Sequence, residues 1–279
     1  MYFIDFLSQN STYFYSILLS LQSYLIKSKQ KMNIVVCISS VPDTTSKINF
    51  TENNTKFDSN GIQFVINPND EFGLTKAMVL KEANGGTVKV ITVGDASAEP
   101  VIRKSLAIGA DSAVRINKAA TDGYSTAIEI ANYLKENPAD LIIAGKESLD
   151  YNGGGVPAMI AEMLDLPFVN ACNGLEIAGT DAKISREIDG GKETLAASLP
   201  LVIGGQKGLV EESALRIPNM RGIMQARSKP LEVIEPSATE NLTTSVSFEK
   251  PAEKGACKLV GADNVAELVS LLHNEAKVI

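Results

Sequence analysis

The segment best equipped for chemistry is Gly145-Lys146-Glu147-Ser148-Leu149-Asp150-Tyr151-Asn152-Gly153-Gly154-Gly155-Val156-Pro157. Three consecutive glycines expose main-chain N–H groups with no side chain in the way, and Pro157 suits the first turn of a helix. Such a turn offers orphan donors and the positive end of a helix dipole to an anion, commonly a phosphate. The same glycines would equally serve a merely flexible loop, because neither a Walker lysine–serine pair nor GxGxxG accompanies them. Other chemistries run short of residues. His273 is the single histidine, so histidine triads and multi-histidine metal sites are not available. Cys37, Cys172 and Cys257 lie far apart with no CxxC pair, which fits a reduced compartment rather than a disulfide framework. The net charge of −7, from 26 basic and 33 acidic residues, argues against a broad nucleic-acid surface. No nucleophile–base pair or carboxylate dyad stands beside the glycine turn, which favours binding over hydrolysis.

Two shorter loops have less to say alone. Gly94-Asp95-Ala96-Ser97 reads as an ordinary turn with a helix cap. Asn67-Pro68-Asn69-Asp70 reads first as a helix start, although an Asn ahead of Pro is held extended, which would let its amide face a ligand.

The elements that must position these loops alternate in type. Residues 33–39 form a continuous apolar run of strand length, and 47–50 with 61–66 read as the two sides of a hairpin arm around a polar tip at 51–60. Helices are expected at 70–83, 98–108, 123–136 and 156–164, and strands at 87–93, 112–116 and 140–144. Fully apolar strands separated by helices predict an α/β fold, a Rossmann-like open parallel sheet covered on both faces. Ligands of such sheets lie beyond the carboxyl ends of the strands, where the three loops and residues 37–43 would converge; a site of that kind suits an adenine nucleotide. After Pro167 the period changes to short strands at 183–188, 193–198 and 201–204, a small β extension. Residues 205–236 keep no clean period; 237–260 are a polar tether and 264–276 a terminal amphipathic helix, these two forming an extended C-terminal arm. Residues 1–31 stand apart, holding seven of the sixteen aromatic residues. Their longest apolar-leaning run, 13–26, is too short and hydroxyl-rich for a membrane span, so no stable membrane insertion is expected. Met32 opens a strong strand directly, which leaves 1–31 as an artefactual extension, a surface helix or a processed leader.

A series of motifs then becomes specific: VPD at 41–43, INPNDE at 66–71, IRKSLAIGAD at 102–111, DLIIAGKESLD at 140–150, SREIDGGKETL at 185–195, LP at 199–200 and IPNMRGIMQARSKPLEVI at 217–234. In this order, from about Met32 to Pro236, the chain resembles the beta subunit of electron transfer flavoprotein. The resemblance implies a nucleotide-binding domain over 32–236 and an arm over 237–279 that packs on an alpha subunit carrying most of the FAD contacts. The heterodimer would carry electrons from flavin dehydrogenases, notably the acyl-CoA dehydrogenases of fatty acid oxidation, to a quinone oxidoreductase at the membrane. It would have no catalytic turnover of its own and, in the bacterial type, would be cytoplasmic. The beta subunit would bury AMP without a redox role; in an electron-bifurcating branch a second FAD takes that position.

By the same resemblance the AMP contacts fall on Cys37, Asn67, Pro68, Asn69, Asp70, Val93, Gly145, Lys146, Glu147, Ser148, Leu149, Asp150, Tyr151, Asn152, Gly153, Gly154, Gly155 and Val156. Glu187 falls where the family bridges to an alpha-subunit arginine. The partner-docking loop falls on 207–227 with Met220 at its tip, flanked by Ile217, Ile223 and Met224. Spacing alone reads these four side chains as core beneath the loop, whereas the resemblance turns Met220 outward. Arg216, Arg221 and Arg227 would steer acidic partner surfaces. Three departures stand out. Gly155-Val156-Pro157 replaces a Gln-Thr-Gly sequence against the phosphate, Asn69 replaces an aromatic near the flavin, and the basic cluster after the loop is thinned to Arg227-Ser228-Lys229.

Overall fold

The computed structural model describes residues 31–253 and 255–279, so the expectations for 1–31 fall outside it except at Lys31. The chain divides into two compact units: the part up to Asn49 with Asp58–Ser245, and Phe50–Phe57 with Val246–Ile279.

The first unit is built on one nine-stranded sheet. Its strands are β1 (Met32–Cys37), β6 (Gly86–Val93), β7 (Ser112–Ile116), β8 (Leu141–Gly145), β9 (Phe168–Ala178), β10 (Asp181–Ile188), β11 (Gly191–Ser198), β12 (Leu201–Gly205) and β13 (Leu231–Ile234). The spatial order is β11-β10-β9-β12-β8-β1-β6-β7-β13. The seven strands from β9 to β13 along that order run parallel, and β10 and β11 add an antiparallel extension. From β1 the chain passes through helix α1 (Pro68–Asn84) to β6 and through α2 (Glu99–Ile108) to β7. It then recrosses through α3 (Gly123–Glu136) to β8 on the other side of β1, and leaves through α4 (Val156–Leu164). The direction of winding therefore reverses between β1 and β8, the point where open α/β sheets hold their ligands.

Burial explains why these strands read as uninterrupted apolar runs. In β1, Met32, Ile34 and Val36 enter the core under α1 and α2, while Val35 and Cys37 enter the core under α3 and α4. Leu141 and Ile143 of β8 point with the first set, Ile142 and Ala144 with the second. A side-chain period of two, buried on both faces, leaves no polar position in β8 and only Asn33 near the start of β1.

The structure corrects three sequence expectations. Residues 64–66 do not pair with 47–50: strand β5 (Phe64–Ile66) pairs with β2 (Ser40–Pro42). The hairpin itself is shorter, β3 (Phe50–Thr51) against β4 (Lys56–Phe57), because Glu52, Asn53 and Asn54 all take left-handed φ and close the turn at once. The second correction is β9, which showed no strand pattern. It pairs parallel with β12 and antiparallel with β10, with a register shift on each side and Ala171 at φ 55°. Its buried positions Val169, Cys172 and Leu175 therefore recur every third residue, a period belonging to no regular strand. Third, residues 205–236 are not featureless: they hold helix α5 (Met220–Ala226) and the four-residue edge strand β13.

Beyond β13 the chain is tied down by two carboxylates. Glu129 of α3 accepts from Ser237 N at 2.8 Å, Ser237 Oγ at 2.7 Å, Thr239 Oγ1 at 2.6 Å and Lys118 Nζ at 3.1 Å. Asp122, which caps α3 through Ser125 N at 2.9 Å, also accepts from Thr243 N at 3.1 Å and from its hydroxyl. Residues 237–243 thus belong structurally to the sheet unit.

The second unit is small. Phe248 N donates to Asn54 O at 2.7 Å, and the Phe50 and Phe248 rings stack with centroids 5.0 Å apart. Helix α6 (Val265–Ser270) runs on into the wider turns of Leu271–Ala276 and leaves Val265, Leu268 and Val269 exposed.

The clamp on 237–243 has a measurable consequence. Burial pushes the Glu129 carboxyl up, but hydrogen bonds from Thr239, Ser237 and Lys118 outweigh it and hold the group below its ordinary value. Its contribution is therefore present above the usual glutamate range and lost as pH falls through it. Glu129→Ala leaves a Lys118 ammonium only 17% exposed without its carboxylate. The expected result is a loss of about 3 kcal/mol in urea unfolding, with fast amide exchange across 237–243. Wild-type exchange protection of that segment in the variant would show that the carboxylate does not hold it.

Candidate functional site

At the reversal point the exits of β1 and β8 are joined by a single carboxylate. Asp70, in the first turn of α1, accepts from Ser39 N at 2.7 Å through Oδ2 and from Gly145 N at 2.8 Å through Oδ1. It is 2% exposed, and no cation pairs with it among the described residues. Burial pushes its carboxyl up to about 7, against the pull of these N–H donors and of Asn67. Gly145 has no alternative here: a Cβ would run into Asp70 Oδ1 and come within 2.9 Å of Asn67 Nδ2.

Asn67 does not act as the cap that its position before α1 suggested. Its side chain makes no capping bond. Instead Nδ2 donates to Glu147 O at 2.9 Å and Oδ1 accepts from Leu149 N at 3.3 Å, splinting the start of the glycine loop. The extended backbone required ahead of Pro68 aims the amide across the gap. Asn69 Nδ2 adds a longer bond of 3.3 Å to the same Glu147 oxygen. Among the predicted contacts, Asn67 and Asp70 are thus buried girders, while Pro68 is exposed and Asn69 half-buried.

The loop they support closes on itself and then opens. Lys146 N donates to Gly205 O at 2.8 Å, and Ser148 N to Gly153 O at 3.1 Å. Between these, Asp150 Oδ1 takes Tyr151 N at 2.9 Å, Tyr151 is 59% exposed and Asn152 turns the chain at φ 49°. Gly153, Gly154 and Gly155 are all exposed. A Cβ at Gly153 or Gly155 would meet nothing nearer than 3.6 Å, so no side chain plugs the turn. Helix α4 then starts at Val156 with Pro157 in its first turn and no side chain capping it. Its first N–H groups are left for a partner outside the helix. Cys37 and Val93 end β1 and β6 at the same edge, both buried. Burial, with the Asp70 charge second, pushes the Cys37 thiol far up, so it is a neutral apolar neighbour and not a nucleophile. The Gly94–Ser97 turn is spent on capping, with Asp95 Oδ1 accepting from Ser97 N at 2.8 Å.

Beside the loop lies a cavity of about 540 Å³ whose wall includes Asn69, Lys146, Glu147, Glu187, Lys192 and Gln206. Glu187, on β10, is not isolated: Gln206 Nε2 donates to its Oε2 at 2.8 Å. Gln206 gave no signal in the sequence, because its part depends on β12 ending beside β10 across β9.

The apolar residues of the predicted docking loop are not core. Ile217 is 87% exposed, Met220 75%, Met224 68% and Ile223 43%, which corrects the reading from spacing. Only Ala226 of α5 is buried. Arg216 is not a free steering charge either; it forms a two-pronged pair with Glu82, at 2.8 and 2.6 Å, and so pins the approach to α5.

The Asp70 junction can be tested directly. Asp70→Asn keeps the shape but turns an acceptor into an NH2 facing a main-chain N–H, so a loss of about 2 kcal/mol is expected. The wild-type carboxyl binds its proton more tightly folded than unfolded. Its stabilising contribution is therefore full below the ordinary carboxylate range and lost as pH rises through about 7. Unfolding followed between about pH 4 and about pH 8 should show that slope in the wild type and not in the variant. Parallel profiles would remove Asp70 as the titrating group.

Comparison with known proteins agrees with this architecture. Residues 55–239 match the family model of the electron transfer flavoprotein domain. The chain is 38% identical to the electron transfer flavoprotein subunit beta of Bacillus subtilis, over 89% of this chain and 100% of that protein. It is 34% identical to the subunit beta of Syntrophomonas wolfei, over 81% and 88%, and 31% identical to that of Bradyrhizobium diazoefficiens, over 89% and 100%. A family model matched over residues 55–239, and relatives 31–38% identical over most of the chain, mark it as a member of the electron transfer flavoprotein family, in its beta-subunit branch.

Proposed function

We propose that this chain is the beta half of a two-subunit electron carrier, that it holds AMP structurally at the glycine turn, and that its alpha partner holds most of the FAD. The observation that carries the reading is the exposed, uncapped start of α4 beside the Asp70 junction, at the point where the sheet reverses. A phosphate monoester fits the donors present: main-chain N–H groups of an open glycine turn at a helix N-terminus. The Gln-Thr-Gly side-chain donors of the resemblance are absent, so phosphate binding here rests on the main chain. FAD, when bound by the alpha subunit, supplies the redox chemistry. This chain's part is to bind, orient and dock, with no turnover of its own.

The cavity at Asn69 and Glu187 is a suitable face for the partner subunit and its flavin, with Gln206 orienting the Glu187 carboxylate toward an arginine of that subunit. The exposed Val265, Leu268 and Val269 of α6 would pack on the same subunit. Ile217, Met220 and Met224 would fill an apolar pocket on electron-donating flavoenzymes of the acyl-CoA dehydrogenase type; methionine adapts to several such partners. The final acceptor would be a quinone oxidoreductase.

Two experiments test this. Denaturing the co-purified heterodimer and measuring its cofactors by mass spectrometry should give one FAD and one AMP; two FAD would mean a bifurcating carrier, and no adenylate would end the reading. Gly155→Asp fits sterically, at a φ open to any residue, but sets a carboxylate where the phosphate would lie. AMP content should fall at least about tenfold, about 1.4 kcal/mol, while FAD and thermal stability hold. Separately, Ile217→Ala with Met220→Ala should slow dehydrogenase-linked flavin reduction by about tenfold without loss of FAD. An unchanged rate at subsaturating dehydrogenase would remove this surface as the anchor.

A further inference from the structure

The chain contains six arginines. Arg115, Arg186 and Arg216 pair with Glu99, Glu193 and Glu82. The other three, Arg103, Arg221 and Arg227, form no ion pair among the described residues. All three lie on α5, at its end, or against it. Residues 213–231 carry Arg216, Arg221, Arg227 and Lys229 and not one acid, within a chain of net charge −7.

Two of these cations, Arg103 and Arg227, line a cleft. Between α2 and α5 is a hollow of about 460 Å³, floored by Pro100, Ala107, Ile223 and Ala226 and rimmed by Arg103, Lys104 and Arg227. The helices meet closely because residue 222 is glycine; a Cβ there would run into Ala107 O. Arg103 Nη1 donates to Ala226 O at 2.7 Å and Lys229 O at 2.9 Å, and Lys229 Nζ returns bonds to Leu106 O at 2.9 Å and Ala110 O at 2.6 Å. Each cation thus serves the C-terminal carbonyls of the opposite helix, which fixes the guanidinium plane of Arg103 before any partner arrives. Its remaining donors, on Nη2 and Nε, match the geometry of a carboxylate.

We propose that this cleft is a second docking element: it receives an acidic segment of the redox partner protein, with Glu or Asp carboxylates on Arg103 and Arg227 and an apolar side chain on the Ile223–Ala226 floor. Charge complementarity selects that occupant: Lys104 is matched by Glu71, but Arg103 and Arg227 have no acidic partner among the described residues of a chain with net charge −7. The proposal rests on the reading of 207–227 as partner-facing and adds to it. The exposed Ile217, Met220 and Met224 supply an apolar anchor, and the cleft beside them supplies a charge register that governs encounter.

The test uses the FAD-loaded heterodimer and a purified acyl-CoA dehydrogenase reduced by its acyl-CoA. Arg103 is left intact because it holds α5 in place; Arg227→Glu reverses the charge of an exposed cleft side chain only. The expected result is an approximately tenfold lower second-order rate constant at low salt and a flattened salt dependence. Calorimetric affinity for the oxidised dehydrogenase should fall to match, with FAD content and melting temperature as in wild type. The Ile217→Ala, Met220→Ala variant should be slow at every salt concentration and keep the wild-type salt slope. If the charge reversal leaves rate, slope and affinity unchanged while the apolar variant is slow, the cleft proposal is overturned and the docking reading stands. If neither variant slows reduction, both fall. If the reversal abolishes sedimentation with phosphatidylglycerol vesicles but spares the dehydrogenase reaction, a lipid headgroup is the occupant and the proposal is overturned.

Discussion

One buried carboxylate organises the functional edge of this protein. Asp70 has no cation to neutralise it among the described residues and is held by main-chain N–H groups at the exits of β1 and β8. A buried charge costs several kcal/mol unless hydrogen bonds compensate it. The surrounding geometry is accordingly constrained. Ser39 and Gly145 must present their N–H groups, residue 145 cannot carry a side chain, and α1 must begin where its first turn reaches both strands. Asn67 extends the junction into the glycine loop, so the open turn at Gly153–Gly155 hangs from a rigid support. A turn that offers only main-chain donors depends on such support, because its donors cannot adjust one at a time.

The opposite design governs the loop at 207–227. There the apolar side chains face solvent, and order comes from cations bound to carbonyls and carboxylates around them. Arg216 on Glu82 fixes the approach, and Arg103 and Lys229 fix the exit. A short helix of seven residues has little stability of its own. Tying both flanks to long helices lets it stay formed while it exposes Met220 and Met224. The glycine turn and the 207–227 loop are therefore built in opposite ways: one is bare of side chains on a rigid support, and the other displays apolar side chains on a braced helix.

Much of this was legible before any coordinates. The doubly buried strands β1 and β8 and the helices α3 and α4 announce themselves because their signals are local: periodicity, an Asp or Gly at the start, a proline in the first turn. β9 was not legible, since its two register shifts turn a strand into a three-residue burial pattern. β13 was not, because four residues carry no period and only pairing with β7 makes them a strand. At the docking loop, the residue types that fill cores also fill interfaces, so spacing alone could not tell Met220 facing inward from Met220 facing out.

By itself, the chain's order of residues determined a parallel α/β sheet, the side of it where a ligand would lie, and a turn of bare amides suited to phosphate. Those follow from rules that act within one or two turns of chain. What Asn67, Asp70 and Gln206 do was decided only by the tertiary structure. A cap-like Asn became a splint, an acid at a helix start became a buried junction, and an unremarked glutamine became the partner of Glu187. The physical reason is common to all three. A polar side chain that burial removes from water must bond to whatever the fold brings beside it, and these partners lie from 19 to 82 residues away.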